Sequence, residues 1–205
     1  MHRFYSIYIA ATCIALLGCS HGYKIEDNRV YYVHWNEARG KGSQLLPQAD
    51  ASTFESLDFN CDCSFEFGKD KDHLYIDGQL IENIDPNTFR FIGNYIFADK
   101  DSAYFFGFYT NLNDCSIDGV NPHEIALITY PWAKSGNILI NGSDTLSLAD
   151  ITDFTPIDNN WGKTKSAIIF NNQLLVGADP ASFEIINSYA GKDNQHTFEF
   201  GKMTK

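Results

Sequence analysis

A chain of 205 residues with 44% apolar and 15% aromatic side chains carries enough hydrophobic material for one domain with a sizeable core, which excludes wholesale disorder. Fifteen Lys and Arg against 26 Asp and Glu leave a formal charge of -11, a field that opposes sequence-independent attraction to phosphate backbones. No nucleic-acid partner is expected.

The chain opens on His2 and Arg3, followed by an uncharged, mostly apolar run from Phe4 to Leu17. That run suits the core of a signal helix and is too short to span a bilayer of about 30 Å. It ends in Leu16-Leu17-Gly18-Cys19-Ser20, which resembles the lipobox of bacterial lipoproteins. The resemblance implies that residues 1–18 are removed, that Cys19 is lipidated, and that the protein sits in the cell envelope with the membrane as a partner through its anchor. Removing residues 1–18 takes away Arg3 and leaves 14 basic side chains against 26 acidic ones, a formal -12. Residues 19–24 serve as anchor and short tether, and residues 25–205 form a single β-rich domain.

The domain is organised by a repeat. Asp50 to Phe54, Asp85 to Phe89, Asp150 to Phe154 and Asp179 to Phe183 each place an aspartate four residues before a phenylalanine. Asp72 to Ile81 also aligns without gaps on Ser166 to Leu175, an offset of 94 residues. In chain order the units are 25–57, with a long turn from Asn36 to Gln44, then 67–92, 130–157 and 161–186. Residues 95–107 and 189–201 are half units, and 108–129 is an insertion. Runs rich in Tyr, Phe and Ile divided by Asp77-Gly78, Asn141-Gly142 or Asn171-Asn172 predict tight hairpins, because these turn residues tolerate positive φ. The fold class is therefore mainly β: tandem antiparallel hairpins or meanders joined by short turns or single helical turns. In each turn the aspartate caps backbone N–H groups two and three residues on, the Phe points into the core, and the next apolar residues begin a third strand.

Between the first two units lie Cys61 and Cys63, which share a face if the segment is extended. An oxidising envelope favours pairing one of them with Cys115; three free thiols are the alternative, and a zinc site of all three with His123 the weakest reading. Inside the insertion, Asp114, Ser116 and Asp118 with Gly119 fit the first half of a calcium loop, and Glu124 stands one place early for its closing ligand. An ordinary Asp/Gly turn explains the same residues.

The stretches Lys69-Asp70-Lys71-Asp72-His73-Leu74-Tyr75, Asp85-Pro86-Asn87-Thr88-Phe89 and Ala98-Asp99-Lys100-Asp101-Ser102-Ala103-Tyr104 resemble the DKNYY family, named for a repeated Asp-Lys-Asn then Tyr-Tyr segment. The resemblance covers most of residues 24–200. It implies a bacterial, lipid-anchored or secreted protein and brings no activity with it.

Catalytic signatures are missing from the sequence: there is no G-x-S-x-G, S-x-x-K, H-E-x-x-H or phosphate-cradling glycine loop. Carboxylate pairs such as Asp70 and Asp72 read as acidic surface turns. The expectation is an envelope module that is not an enzyme, needs no cofactor, and binds a protein or glycan. An acidic inhibitor or immunity-type partner of a basic protein is the alternative.

Overall fold

The computed structural model describes residues 21–38, 40–108 and 110–204. The predicted signal helix and Cys19 lie outside the described residues. Among those described there is no helix; the chain forms short strands in six separate antiparallel meanders. Sheet 1 contains β1 (Gly22–Glu26), β2 (Arg29–Asn36) and β3 (Gly40–Leu45). Sheet 2 contains β4 (Glu55–Leu57), β5 (Phe67–Lys69), β6 (Leu74–Ile76) and β7 (Gln79–Ile81). Sheet 3 contains β8 (Arg90–Gly93), β9 (Ile96–Ala98) and β10 (Ala103–Phe105). Sheet 4 contains β11 (Ile125–Thr129), β12 (Trp132–Ser135), β13 (Ile138–Asn141) and β14 (Asp144–Ser147). Sheet 5 contains β15 (Thr155–Pro156), β16 (Trp161–Lys163), β17 (Ile168–Phe170) and β18 (Gln173–Leu174). Sheet 6 contains β19 (Glu184–Asn187), β20 (Ala190–Lys192), β21 (Thr197–Glu199) and β22 (Lys202–Met203).

The sheets stack in chain order, with an apolar core at each junction. Val30 and Tyr32 of sheet 1 meet Tyr75 of sheet 2 across Phe54, whereas Leu74 and Ile76 point the other way, towards Phe97 and Phe106 of sheet 3. Ile96 and Ala103 then face Ala133 and Ile140, Trp132 and Leu139 face Ile169, and Trp161 and Phe170 face Phe198. Successive side chains of a strand point to opposite faces, so a strand sandwiched between two sheets must be apolar at every position. That is why Leu74-Tyr75-Ile76 and Ile168-Ile169-Phe170 are unbroken apolar runs, all of them buried.

The phase of the repeat differs from the sequence reading. The strand after each Phe is the first strand of the next sheet, not the third strand of the preceding unit. Residues 95–107 and 189–201 are therefore not half units; β8 and β19, assigned from sequence to their predecessors, complete sheets 3 and 6. The insertion is also shorter than 108–129, because β11 belongs to sheet 4. In sheet 1 the turn from Asn36 to Gln44 is not observed, since β2 and β3 are paired from Tyr31↔Leu45 as far as Asn36↔Gly40. Residues 22–24 lie in β1 and not in a tether.

The turns at Asp50, Asp85, Asp150 and Asp179 bridge successive sheets. Each carboxylate accepts the N–H two residues on, from Ser52, Asn87, Thr152 and Ala181 respectively. The N–H three residues on goes to the backbone carbonyl in three of them, as Thr53 does to Asp50, so the predicted double capping is split between side chain and main chain. A fifth bridge, missed in the sequence, is Asn121-Pro122, where Asn121 Oδ1 accepts from His123 N at 3.0 Å. From Asn121 to Asp150 and from Asp150 to Asp179 is 29 residues, the true period of the chain.

In three of the turns the phenylalanine packs its ring against a glycine of the next sheet. A Cβ on Gly68 would stand 2.6 Å from Phe54, and Gly162 and Gly191 meet Phe154 and Phe183 just as closely. In sheet 3 the small residue is replaced by Phe97, which stacks on Phe89 with centroids 5.3 Å apart.

Candidate functional site

The most heavily bonded polar groups are three aspartates at the β-turns inside sheets 2, 3 and 6. Asp70 and Asp99 are each 2% exposed as residues, and the Asp193 carboxylate is equally hidden. One oxygen of each accepts two N–H groups of its own turn: Asp72 and His73, Asp101 and Ser102, or Gln195 and His196. The other oxygen accepts the N–H of the bridging aspartate, from Asp50, Asp85 or Asp179, at 2.9 Å in every case. Tyr104 donates its hydroxyl to Asp99 at 2.9 Å, and Tyr75 stands 3.4 Å from Asp70. Ser135 takes the same place in sheet 4, accepting from Asn121 N at 3.0 Å. These aspartates fasten each bridge to the sheet that follows it. Asp70 is thus a buried hub, not the surface acid expected of the Asp70–Asp72 pair.

Burial alone would push the Asp99 carboxyl up, but the N–H donors of Asp85, Asp101 and Ser102 and the Tyr104 hydroxyl outweigh it and hold it below the ordinary 3.8. Asp70 is lowered in the same way. Asp193, with the Asp179 N–H as its strongest influence, falls to about 2. A carboxyl depressed on folding contributes stability above its unfolded pKa and loses it as pH falls through the folded one. The melting temperature should therefore hold steady down to about pH 5 and fall between about pH 4 and pH 2, the window set by those values. A melting temperature that rises on acidification would contradict the assignment.

Two stretches break the 29-residue period, and both lie against sheet 3. The first, residues 58–66, contains a disulfide between Cys61 and Cys63, with Cα atoms 5.0 Å apart. The expected pairing of one of them with Cys115 is therefore incorrect. The segment is irregular, not extended, which lets the two neighbours turn towards each other, while Cys115 is a free, buried thiol in the core between sheets 2 and 3. Zinc binding by these cysteines with His123 fails for the same reason, and His123 Nε2 instead lies 3.0 Å from the Lys100 carbonyl. Burial pushes the Cys115 thiol up to about 11, leaving almost no thiolate at neutral pH. In the chain from Ser20 onward, a thiol-disulfide reagent should find no reactive cysteine in the native state and one after unfolding without reductant. Rapid native labelling would place Cys115 at the surface.

The second stretch, residues 107–120, contains Asp114, Ser116 and Asp118 of the proposed calcium loop, with Glu124 just beyond it, and they do not converge. Ser116 pairs with Tyr104 in a β-bridge and its hydroxyl donates to Asp118, while Glu124 belongs to the Asn121 bridge. Among the described residues no three His, Cys, Asp or Glu side chains are placed to hold a metal ion. The calcium reading is withdrawn.

The deviations do shape two clefts beside sheet 3. One, of about 660 Å³, runs along Leu80–Ile84 and Leu112–Ser116 and is polar. The other, of about 310 Å³, is lined by Cys61, Asp62, Phe91, Asn94, Tyr95 and Tyr130. Its walls are Tyr95 and Tyr130, edge to face at 5.7 Å, with Tyr130 half exposed. Tyr95 sits at φ 61° and Asn94 at φ 52°, a turn that suits Asn-Gly and is uncommon for a bulky side chain. Sequence reasoning missed the Tyr95–Tyr130 pair, because the matching hairpin of sheet 6 also carries a tyrosine, in Ser188-Tyr189, and nothing in the sequence sets Tyr95 apart.

The sequence profile of the DKNYY family matches residues 23–202, nearly the whole described structure. The chain belongs to the DKNYY family. No curated protein and no solved structure matches it. The DKNYY segments now have a physical role. Their aspartate is the buried hub, as in Asp70 and Asp99. Their lysine pairs with the bridging aspartate, Lys100 with Asp85 at 3.0 Å and Lys71 with Asp50 at 3.7 Å. Their second aromatic position, Tyr75 or Tyr104, directs a hydroxyl to the hub. The signature of the family is the clamp that joins one sheet to the next.

Proposed function

We propose that this DKNYY protein is a lipid-anchored, non-catalytic binding module of the bacterial envelope that takes a protein or glycan at the Tyr95–Tyr130 cleft. The observation that carries the reading is that cleft: two partly exposed tyrosines with Asn94 and Asp62 beside them offer ring faces for stacking and polar groups for orientation. The clamp aspartates are saturated with donors and are spoken for by the fold. The lipobox-like segment supports anchoring through Cys19.

The test pairs Tyr95→Gly with Tyr130→Ala in a pull-down from envelope extract. Tyr95→Gly restores the preferred turn, so relief of backbone strain offsets the lost ring contacts and stability should change by no more than about 1 kcal/mol. Capture should nonetheless be lost, and Cys19→Ala should shift the protein from the detergent phase to soluble or unprocessed material. Undiminished capture by the double variant would remove the cleft from the proposal. The acidic charge favours a second reading, inhibition of a basic protein, which predicts capture that high salt abolishes.

A further inference from the structure

The two ends of the stack are unlike. On sheet 6 the face away from sheet 5 carries Glu184, Lys192, Thr197 and Glu199, with Thr197, Glu199 and Ala190 where sheet 5 has Ile168, Phe170 and Trp161. On sheet 1 the strand registers Lys24↔Tyr31↔Leu45 and Trp35↔Lys41 place these side chains on the face turned away from sheet 2, together with Arg29. Trp35 is 46% and Leu45 41% exposed, and Lys24 lies over the Tyr31 ring at 5.4 Å. Glu26 pairs with Lys24 and leaves the face net positive.

Charge along the chain follows the same polarity. Residues 21–49 carry Lys24, Arg29, Arg39 and Lys41 against Glu26, Asp27 and Glu37, a net +1, whereas residues 50–205 carry 10 Lys and Arg against 23 Asp and Glu, a net -13. The apolar run Phe4 to Leu17 joins the fold through residues 18–20 and His21, and His21 and Gly22 line a hollow on this sheet with Lys24, Val33 and Lys41.

We propose that the outer face of sheet 1 docks on an anionic lipid surface, with Trp35, Tyr31 and Leu45 at the headgroup level and Lys24, Arg29 and Lys41 on the phosphates, so that the acidic sheets 2–6 point away from the membrane. Aromatic rings with one polar edge favour that interface, basic side chains are drawn to anionic leaflets, and repulsion of the remaining sheets selects this orientation over any other. The inference rests on the anchored reading above and adds an orientation to it.

Trp35 reports the docking directly, because Trp132 and Trp161 are fully buried and the chain has three tryptophans. The processed protein is placed on vesicles of phosphatidylglycerol and phosphatidylethanolamine with brominated acyl chains. Flotation with the vesicles, quenching of Trp35 by the acyl-chain bromines and loss of its quenching by aqueous iodide are expected. Lys24→Glu with Lys41→Glu should still float but lose the bromine quenching, as should wild type on brominated phosphatidylcholine alone. Flotation with Trp35 open to iodide would leave the anchor standing and overturn the docking; quenching unchanged in the double variant would overturn the electrostatic contact. No flotation on either lipid would overturn both readings.

Discussion

Asp99→Ala should destabilise the protein by about 3–5 kcal/mol, since hydrogen bonds to a charged acceptor contribute about 1.5–3 kcal/mol each and water entering the vacated space recovers part of the loss. Four donors lose their acceptor at once: the N–H groups of Asp85, Asp101 and Ser102 and the Tyr104 hydroxyl. Asp99→Asn should fall between alanine and wild type, because one amide oxygen can serve the Asp101 and Ser102 donors while the amide nitrogen faces the Asp85 N–H. Asp85→Asn should be milder, as its oxygen still accepts from Asn87 and the losses are confined to the exposed Lys100 pair and the Thr88 hydroxyl donor. Urea denaturation of the three variants checks the order. A cost for Asp99→Ala no larger than that of Asp85→Asn would show that the clamp does not hold the sheets together.

Trp161→Ala should cost a similar amount, about 3–5 kcal/mol for truncating a buried aromatic, but the loss should be confined to one end of the molecule. Trp161 is fully buried against Phe170 at 4.6 Å and Phe183 at 5.4 Å, and its Nε1 donates to the Asn187 carbonyl of sheet 6 at 3.2 Å. Sheet 6 packs on sheet 5 and on nothing beyond it, so weakening this junction should free residues 184–203 while sheets 1–4 stay folded. Hydrogen exchange followed by mass spectrometry would show protection lost in β19–β22 and kept in β5–β10. Loss spread evenly over all six sheets would mean that the stack unfolds as one cooperative body.

Much of the fold could be read from the chain because its hairpin turns and bridging aspartates use residues with few alternatives. Asp77-Gly78 needs positive φ at both positions, and Asp85 followed by Pro86 has little else to be. The phase of the repeat was harder to read. Phe91-Ile92 after Phe89 is consistent with closing one sheet or opening the next, and only the packing of Phe89 on Phe97 decides it. The Asn121 bridge escaped notice because Asn replaces Asp and Ile125 replaces Phe. Asp70 resembled a solvated acid, and Asp99 and Asp193 drew no reading, since residue type alone does not distinguish a buried carboxylate from an exposed one. Their spacing did: Asp85 to Asp99 and Asp179 to Asp193 are both 14 residues. The cleft lay furthest from view, because Cys61, Tyr95 and Tyr130 come from three different sheets or loops.

Every ladder in the molecule joins strands that are neighbours in the chain, and each sheet rests on the one made just before it. Nothing early in the sequence waits for something late. Such a chain closes only short loops as it folds, which favours rapid assembly and leaves few unpaired edges exposed for long. A polypeptide emerging N-terminus first from a ribosome or a translocation channel could add one sheet after each further 29 residues, the completed part serving as template for the next. Because sheet 1 forms first on such a route, the end proposed to face the membrane would be in place while the later sheets were still being delivered.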